Sequence, residues 1–341
     1  MKNFILKTSL FLMIPAFIAF LMDVAISNQL KYYIKDFLCE NEIWNDIYSS
    51  NINANIAILG ASRAWVHFDT KIFNDSLNVY CYNFGEDGSN ILLQYLRFKE
   101  YTTFNPSPKI VILSVDLWTL KNNDNKYPTS SFFPYMFWNT RIFEVLKRFD
   151  KVGSNKLDFF IPMLRYLNIN TIKLLIKHPK IPYWGAFDKT FELNHEGKLR
   201  ANGYRGMDLL WDTTKEMSIL KMSYEVDIDY RLIYVMETLL KELIKNNIEV
   251  IMVYTPEYRE GQCITKNRNE NITIFENASR KFNIPFYNYS DSIISEKKEL
   301  FYNVQHLNKN GAEVFTKSVV TSIIYPHYLV SKQVIVSSYK K

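Results

Sequence analysis

Hydrophobic and polar positions follow three different rhythms along this chain. Residues 4–26, FILKTSLFLMIPAFIAFLMDVAI, are apolar nearly throughout, with Lys2 before them, Lys7 inside and Asp23 near the end. A helix that is apolar all round has no face to turn to water, so this segment predicts a membrane anchor or a secretory signal. Its uninterrupted part, residues 8–22, falls short of the ~20 residues of a spanning helix. Lys7 snorkelling to one interface and Asp23 resting at the opposite headgroup level extend the span, and Pro15 is tolerable there. The reading adopted is a retained anchor over residues 1–27; a signal cut near Ala25-Ile26-Ser27 and a buried helix of a soluble protein are the alternatives. Because Lys2 and Lys7 precede the apolar run, the remaining chain is expected on the extracytoplasmic side.

Residues 28–53 are polar and aromatic and read as a membrane-proximal connector. A second rhythm starts at residue 54. Short β-branched runs at 55–59, 109–115, 249–254 and 285–289 alternate with helical spacing at 88–104, 227–247, 267–283 and 309–323. Strands separated by helices predict an α/β fold with a parallel sheet covered on both faces. The alternation breaks between about 120 and 225, a stretch with Trp118, Trp138, Trp184, Trp211 and a turn at Gly203-Tyr204-Arg205-Gly206. It reads as a largely helical insertion, its aromatics mostly core, inside one domain spanning 54–328, with a tail over 329–341.

Composition narrows the class. At 48% hydrophobic and 22% charged the chain is globular, and its net charge of +6 is scattered, which excludes a nucleic-acid footprint. Cys39, Cys81 and Cys263 stand far apart with no histidine at ligand spacing, so no zinc site is expected. They read as buried small side chains, or as one disulfide and a free thiol. Neither a dinucleotide fingerprint nor a Walker sequence occurs, and no cofactor is expected.

Three segments carry candidate chemistry. Ile56-Ala57-Ile58-Leu59-Gly60-Ala61-Ser62-Arg63 runs from a buried strand into a Gly-x-Ser turn, which would hold the Ser62 hydroxyl at the carboxyl end of a strand. A helix N-cap serine is the plain alternative. Gly85-Glu86-Asp87-Gly88 places two glycines three apart between an apolar run and a helix, where backbone N–H groups can be aimed at a ligand. His306, in a loop just before the last amphipathic helix, can reach across the top of such a sheet and act as general base. His67, His178, His195 and His327 have no comparable setting.

In this order the three segments resemble the SGNH (GDSL-type) hydrolase superfamily, and more closely its bacterial membrane-anchored members acting on acylated surface polysaccharides. The resemblance covers roughly residues 54–120 and 227–324. It implies a three-layer flavodoxin-like parallel sheet, Ser62 as nucleophile, His306 as base, and the N–H groups of Ser62 and Gly88 as oxyanion donors. Two positions depart from the pattern. Where the superfamily carries an oxyanion asparagine this chain has Asp116, which would repel an oxyanion unless protonated. Where it carries the triad acid, three residues before the histidine, this chain has Asn303, an amide that can accept from the imidazole but can also favour the wrong tautomer. Another acid such as Asp291 is an alternative support.

Two function classes follow. The first is an extracytoplasmic serine esterase or O-acyltransferase acting on acyl, in particular acetyl, esters of a cell-surface glycan. Its partners would be the acylated polysaccharide, the membrane through the N-terminal helix, and a membrane acyl-donor protein. The second is a glycan-binding or assembly protein that kept the fold and lost the triad acid.

Overall fold

The computed structural model describes residues 2–32, 38–122, 132–148, 156–167 and 199–327. Trp184, His178, His195 and the tail from 329 lie outside them, as does much of the expected insertion. The chain divides into two compact units, one of residues 1–45 and 123–193, the other of residues 46–122 and 194–341.

The second unit is built on a five-stranded sheet of β1 (Ile56–Gly60), β2 (Cys81–Asn83), β3 (Ile110–Val115), β6 (Glu249–Tyr254) and β7 (Phe286–Asn288). All pairings are parallel and the order is β2-β1-β3-β6-β7. Counted within the sheet this is 2-1-3-4-5, the flavodoxin-like order, whose ligands lie beyond the carboxyl ends of the strands. β1 and β3 are buried along their whole length, as a strand covered on both faces must be. One face packs Ile56, Ile58, Ile110, Ile112, Ile251 and Val253 against Phe68, Phe73, Phe315 and Val319. The alternating residues Ala57, Leu59, Val111, Leu113, Val250 and Met252 turn the other way and are buried as well.

Local chemistry sets the helix ends. Helices α3 (Ser62–His67), α4 (Thr70–Leu77) and α5 (Ile91–Phe104) follow β1 and β2. Asp69 caps α4 through Lys71 N–H, and Asn78 ends it in the left-handed region at φ +51°. Asn90 caps α5 and Asn308 caps the last helix, Lys309–Val319, through Gly311 N–H. The expected runs are found within a few residues of their predicted ends; α4 and β2 had not been assigned, being short and without clear periodicity. The expected turn is displaced. Asn202 and Gly203, at φ +47° and +80°, close a hairpin of β4 (Leu199–Ala201) and β5 (Tyr204–Arg205), because these two residues rather than 203–206 supply the positive φ values the turn needs.

In the first unit, helix α1 runs over Lys2–Tyr32. Its segment Phe11–Lys31, with mean hydropathy 1.9, is long and apolar enough to cross a membrane by length and composition. Asp23 is buried, and Arg165 donates to both its oxygens at 2.7 and 2.6 Å, because a carboxylate with a bidentate guanidinium is satisfied inside protein. Phe132, Tyr135, Phe143 and Phe159 form the expected aromatic core, but Trp138 is exposed. Cys263 is exposed as well, and it and the buried Cys81 are both free thiols, so neither serves the other as a disulfide partner.

Candidate active site

β1 ends at Gly60, whose φ of +155° lies where side chains are disfavoured. A Cβ there would come within 2.6 Å of Ala64 Cβ and of Ser114 O on β3, so only glycine lets the strand turn into α3 beside its neighbour. Ser62 is the first residue of α3, and its N–H has no acceptor one turn back in the helix. Ser62 Oγ stands 2.8 Å from His306 Nε2, across 244 residues of sequence.

The other ring nitrogen, Nδ1, lies 3.0 Å from Asn303 Oδ1. That oxygen also accepts the backbone N–H of Gln305 at 2.9 Å and of His306 at 2.8 Å. Two donors on Oδ1 fix which end of the amide faces the ring, so the imidazole meets an acceptor and must carry its proton on Nδ1. Nε2 is thereby left to accept from the Ser62 hydroxyl. The tautomer difficulty expected of Asn303 is absent, and the reason is the backbone of the turn itself. The charge difficulty stays, since an amide does not offset an imidazolium. Burial, and after it the Arg63 guanidinium, hold His306 down to about 3.

His306 lies not in an open loop but on the short strand β9 (His306–Leu307), paired antiparallel with β8 (Phe301–Asn303), because the Asn303–His306 turn folds back as a hairpin. This histidine loop is braced at every step. Val304 N–H donates to the buried Glu216 at 3.0 Å, and Gln305 and His306 donate to Asn303. Leu307 N–H donates to His67 Nε2 at 3.0 Å. Four consecutive amides thus end on side-chain acceptors, which leaves the loop little freedom. Tyr302 stacks on the His306 ring at 5.5 Å and 11°.

His67, set aside on sequence, belongs to this site. It is fully buried, its ring centre is 6.0 Å from that of His306, and its Nδ1 meets Thr255 Oγ1 at 3.0 Å. Because Nε2 accepts from Leu307, Nδ1 carries the proton. Burial, then His306 and Arg63, hold its pKa well below the ordinary value. Its only sequence signal was a place five residues after Ser62 on a short helix. Glu216 gave none, being in the stretch where the alternation breaks.

Beneath the serine lies a buried charge cluster. Arg63 pairs with Glu257, which Arg268 also contacts and to which Tyr254 OH donates at 3.2 Å. Both arginines hold Glu257 below the usual carboxylate range although burial opposes them. Gly60 is in register with Ser114, so Asp116 emerges at the same edge as Ser62. Asp116 Oδ1 accepts from Trp118 N–H at 2.8 Å and Thr119 N–H at 3.1 Å, closing its own turn. Its Oδ2 is buried without a hydrogen bond. Burial raises the Asp116 pKa, with Arg63 acting against it.

Gly88 adopts φ +66° with open space where a Cβ would stand. Burial pushes the Asp87 carboxyl up, and the Arg205 guanidinium and the Gly88 backbone act against it. Asp291 is not the imidazole's acid. It is exposed and paired with Arg259 at 2.5 Å, and the side chain at Nδ1 is Asn303. Among the described residues no cluster of His, Cys, Asp or Glu could hold a metal ion.

No protein-family model matches this sequence, and no curated protein matches it. Similarity to solved structures is present at low identity. A GDSL-like lipase from Bacteroides thetaiotaomicron VPI-5482 is 9% identical with a TM-score of 0.42, over 84% of this chain and 98% of that one. An inferred acylhydrolase from Bacteroides fragilis NCTC 9343 is 13% identical with a TM-score of 0.37, over 81% and 89%. An inferred platelet activating factor from Streptococcus pneumonia is 11% identical with a TM-score of 0.41, over 82% and 89%.

Proposed function

We propose that this chain is a membrane-anchored serine esterase or O-acyltransferase of SGNH type, acting outside the cytoplasm on acyl, chiefly acetyl, esters of a cell-surface glycan. The observation that carries the reading is the 2.8 Å contact of Ser62 Oγ with His306 Nε2, with Nδ1 held on Asn303. Ser62 Oγ attacks the ester carbonyl carbon while its proton passes to Nε2. The oxyanion takes the Ser62 N–H and the Gly88 N–H. Collapse expels the sugar hydroxyl, which takes the proton from Nε2 and leaves an acyl-Ser62 ester. Water or a second hydroxyl then gives its proton to His306 and attacks the acyl carbon, and protonated Ser62 leaves. The low pKa of His306 keeps the ring neutral, hence able to accept, across the physiological range.

One observation favours the second reading, a non-catalytic glycan-binding or assembly protein: the amide at Asn303. An aryl organophosphonate decides between the two readings. The esterase reading expects a covalent adduct on Ser62, lost in His306→Ala, together with hydrolysis of 4-nitrophenyl acetate. Absence of both in the folded protein supports the second.

A further inference from the structure

Helix α1 changes character at Asp23. From Phe11 to Met22 its large apolar side chains point outward, with Phe11 75%, Met13 63% and Phe17 60% exposed. Beyond that point it is fastened within its unit by Asp23 on Arg165 and by Ser27 Oγ, 2.7 Å from Tyr166 OH. Residues 4–22 make about 28 Å of helix, close to the ~30 Å of a bilayer's hydrocarbon core.

A second set of exposed apolar side chains gathers where this section ends. Trp138 is 65% exposed, Leu157 52%, Phe160 44%, Ile161 45% and Leu167 63%. Contacts tie them to that level of α1. The Phe20 ring is 6.1 Å from Phe137, which is 6.2 Å from Trp138, which meets Phe160 edge-on at 5.4 Å. Met163 N–H donates to Asp23 Oδ2 at 2.7 Å, placing the 161–167 loop beside the same turn. A globular surface rarely leaves so many large apolar groups together in water.

We propose that Trp138, Leu157, Phe160, Ile161 and Leu167 form a collar around α1 that enters the headgroup–acyl boundary of the leaflet from which α1 emerges. The N-terminal unit then sits on the bilayer instead of hanging from a free tether. This rests on the reading of α1 as an anchor. Lipid is the occupant because the patch is continuous with the helix section that itself requires lipid, and because tryptophan is enriched at that depth. A second copy of the chain or a protein partner would instead keep the collar away from acyl chains.

The test uses the full-length chain in vesicles of phosphatidylethanolamine and phosphatidylglycerol, with plain or dibrominated phosphatidylcholine added. Sedimentation with the vesicles reads the anchor; quenching of tryptophan emission by bromine reads the collar. The chain has 6 tryptophans, so Trp138→Phe supplies the difference. The expected result is strong quenching of the parent protein and loss of most of the quenched component in Trp138→Phe. Equal quenching of both, with the protein still on the vesicles, overturns the collar and leaves the anchor standing. Failure to sediment overturns both.

Discussion

The two units bury charge in the same paired way but place their large apolar side chains differently. Around the sheet, isoleucine, valine and phenylalanine go inside, and the polar groups Ser62, Asp116, Glu257 and His306 collect at the carboxyl edge of the strands. In the N-terminal unit a carboxylate and a guanidinium are buried, while Phe11, Phe17, Trp138 and Leu167 remain outside. The sheet unit buries the pairs Arg63–Glu257 and Arg97–Glu86, the N-terminal unit buries Asp23–Arg165, and they differ in what they touch. Arg63 follows Ser62 in the chain, and after burial its guanidinium holds His306 below the ordinary histidine value. Asp23 with Arg165 joins a helix to a loop. One interaction type thus lies beside the candidate serine in one unit and fastens a helix to a loop in the other.

The largest effect should come from Ser62→Ala. It is expected to lower turnover of 4-nitrophenyl acetate by about 10⁴-fold or more, since nucleophile loss removes the covalent route. Vesicle sedimentation and thermal unfolding should not change. A parallel loss of membrane attachment would break the separation of roles drawn above.

Next in size is Asp23→Ala. Removing one member of a buried pair leaves Arg165 uncompensated and should cost the N-terminal unit about 3–5 kcal/mol, read as faster proteolysis within residues 132–167. Asp23→Leu with Arg165→Met should recover most of it. Organophosphonate labelling of Ser62 should persist in both variants, and its loss would show the pair to matter to the site.

Asn303→Asp sharpens the comparison from the other side. The carboxylate offsets the imidazolium of the transition state and raises the His306 pKa. Turnover should rise about 10- to 100-fold, part of the ~10⁴-fold that the reverse exchange costs a serine protease. The acid limb of the pH–rate profile, expected near the His306 pKa of about 3 in the parent, should move upward. An unchanged rate and limb would favour the non-catalytic reading.

The smallest effect concerns pH and stability. His306 and His67 both have folded pKa values below the ordinary histidine value. The unfolded chain therefore binds more protons as pH falls below about 6.5. Stability is complete above that value and is lost as pH drops toward the folded pKa values, by roughly 1.4 kcal/mol per pH unit for each histidine. Chemical denaturation of the parent and of His67→Phe between pH 7 and 4 should show the slope reduced in the variant. An equal slope would place the proton uptake elsewhere.

Local patterns carried much of this. The runs at 55–59, 109–115 and 249–254 announced β1, β3 and β6, and the apolar N-terminus announced one helix long enough to span a membrane. The helical spacing at 227–247 announced the helix Tyr230–Lys245. Ser62 and His306 were legible as candidates because each sits at the end of a periodic element, and their shared hydrogen bond is what folding added. His67 and Glu216 were not legible as braces, since their partners Leu307 and Val304 are 240 and 88 residues away and no repeat links them.

By itself, then, the sequence determined what depends on neighbours along the chain: an apolar N-terminal helix, parallel strands alternating with helices, and a serine and a histidine at element ends. The tertiary structure alone decided that Asn303 Oδ1 faces the ring, that Asp23 is paired inside protein, and that Trp138 stays outside. The physical reason is range. Helix and strand periodicity is fixed by contacts a few residues apart, whereas the direction of an amide or the burial of a charge depends on which distant groups arrive beside it.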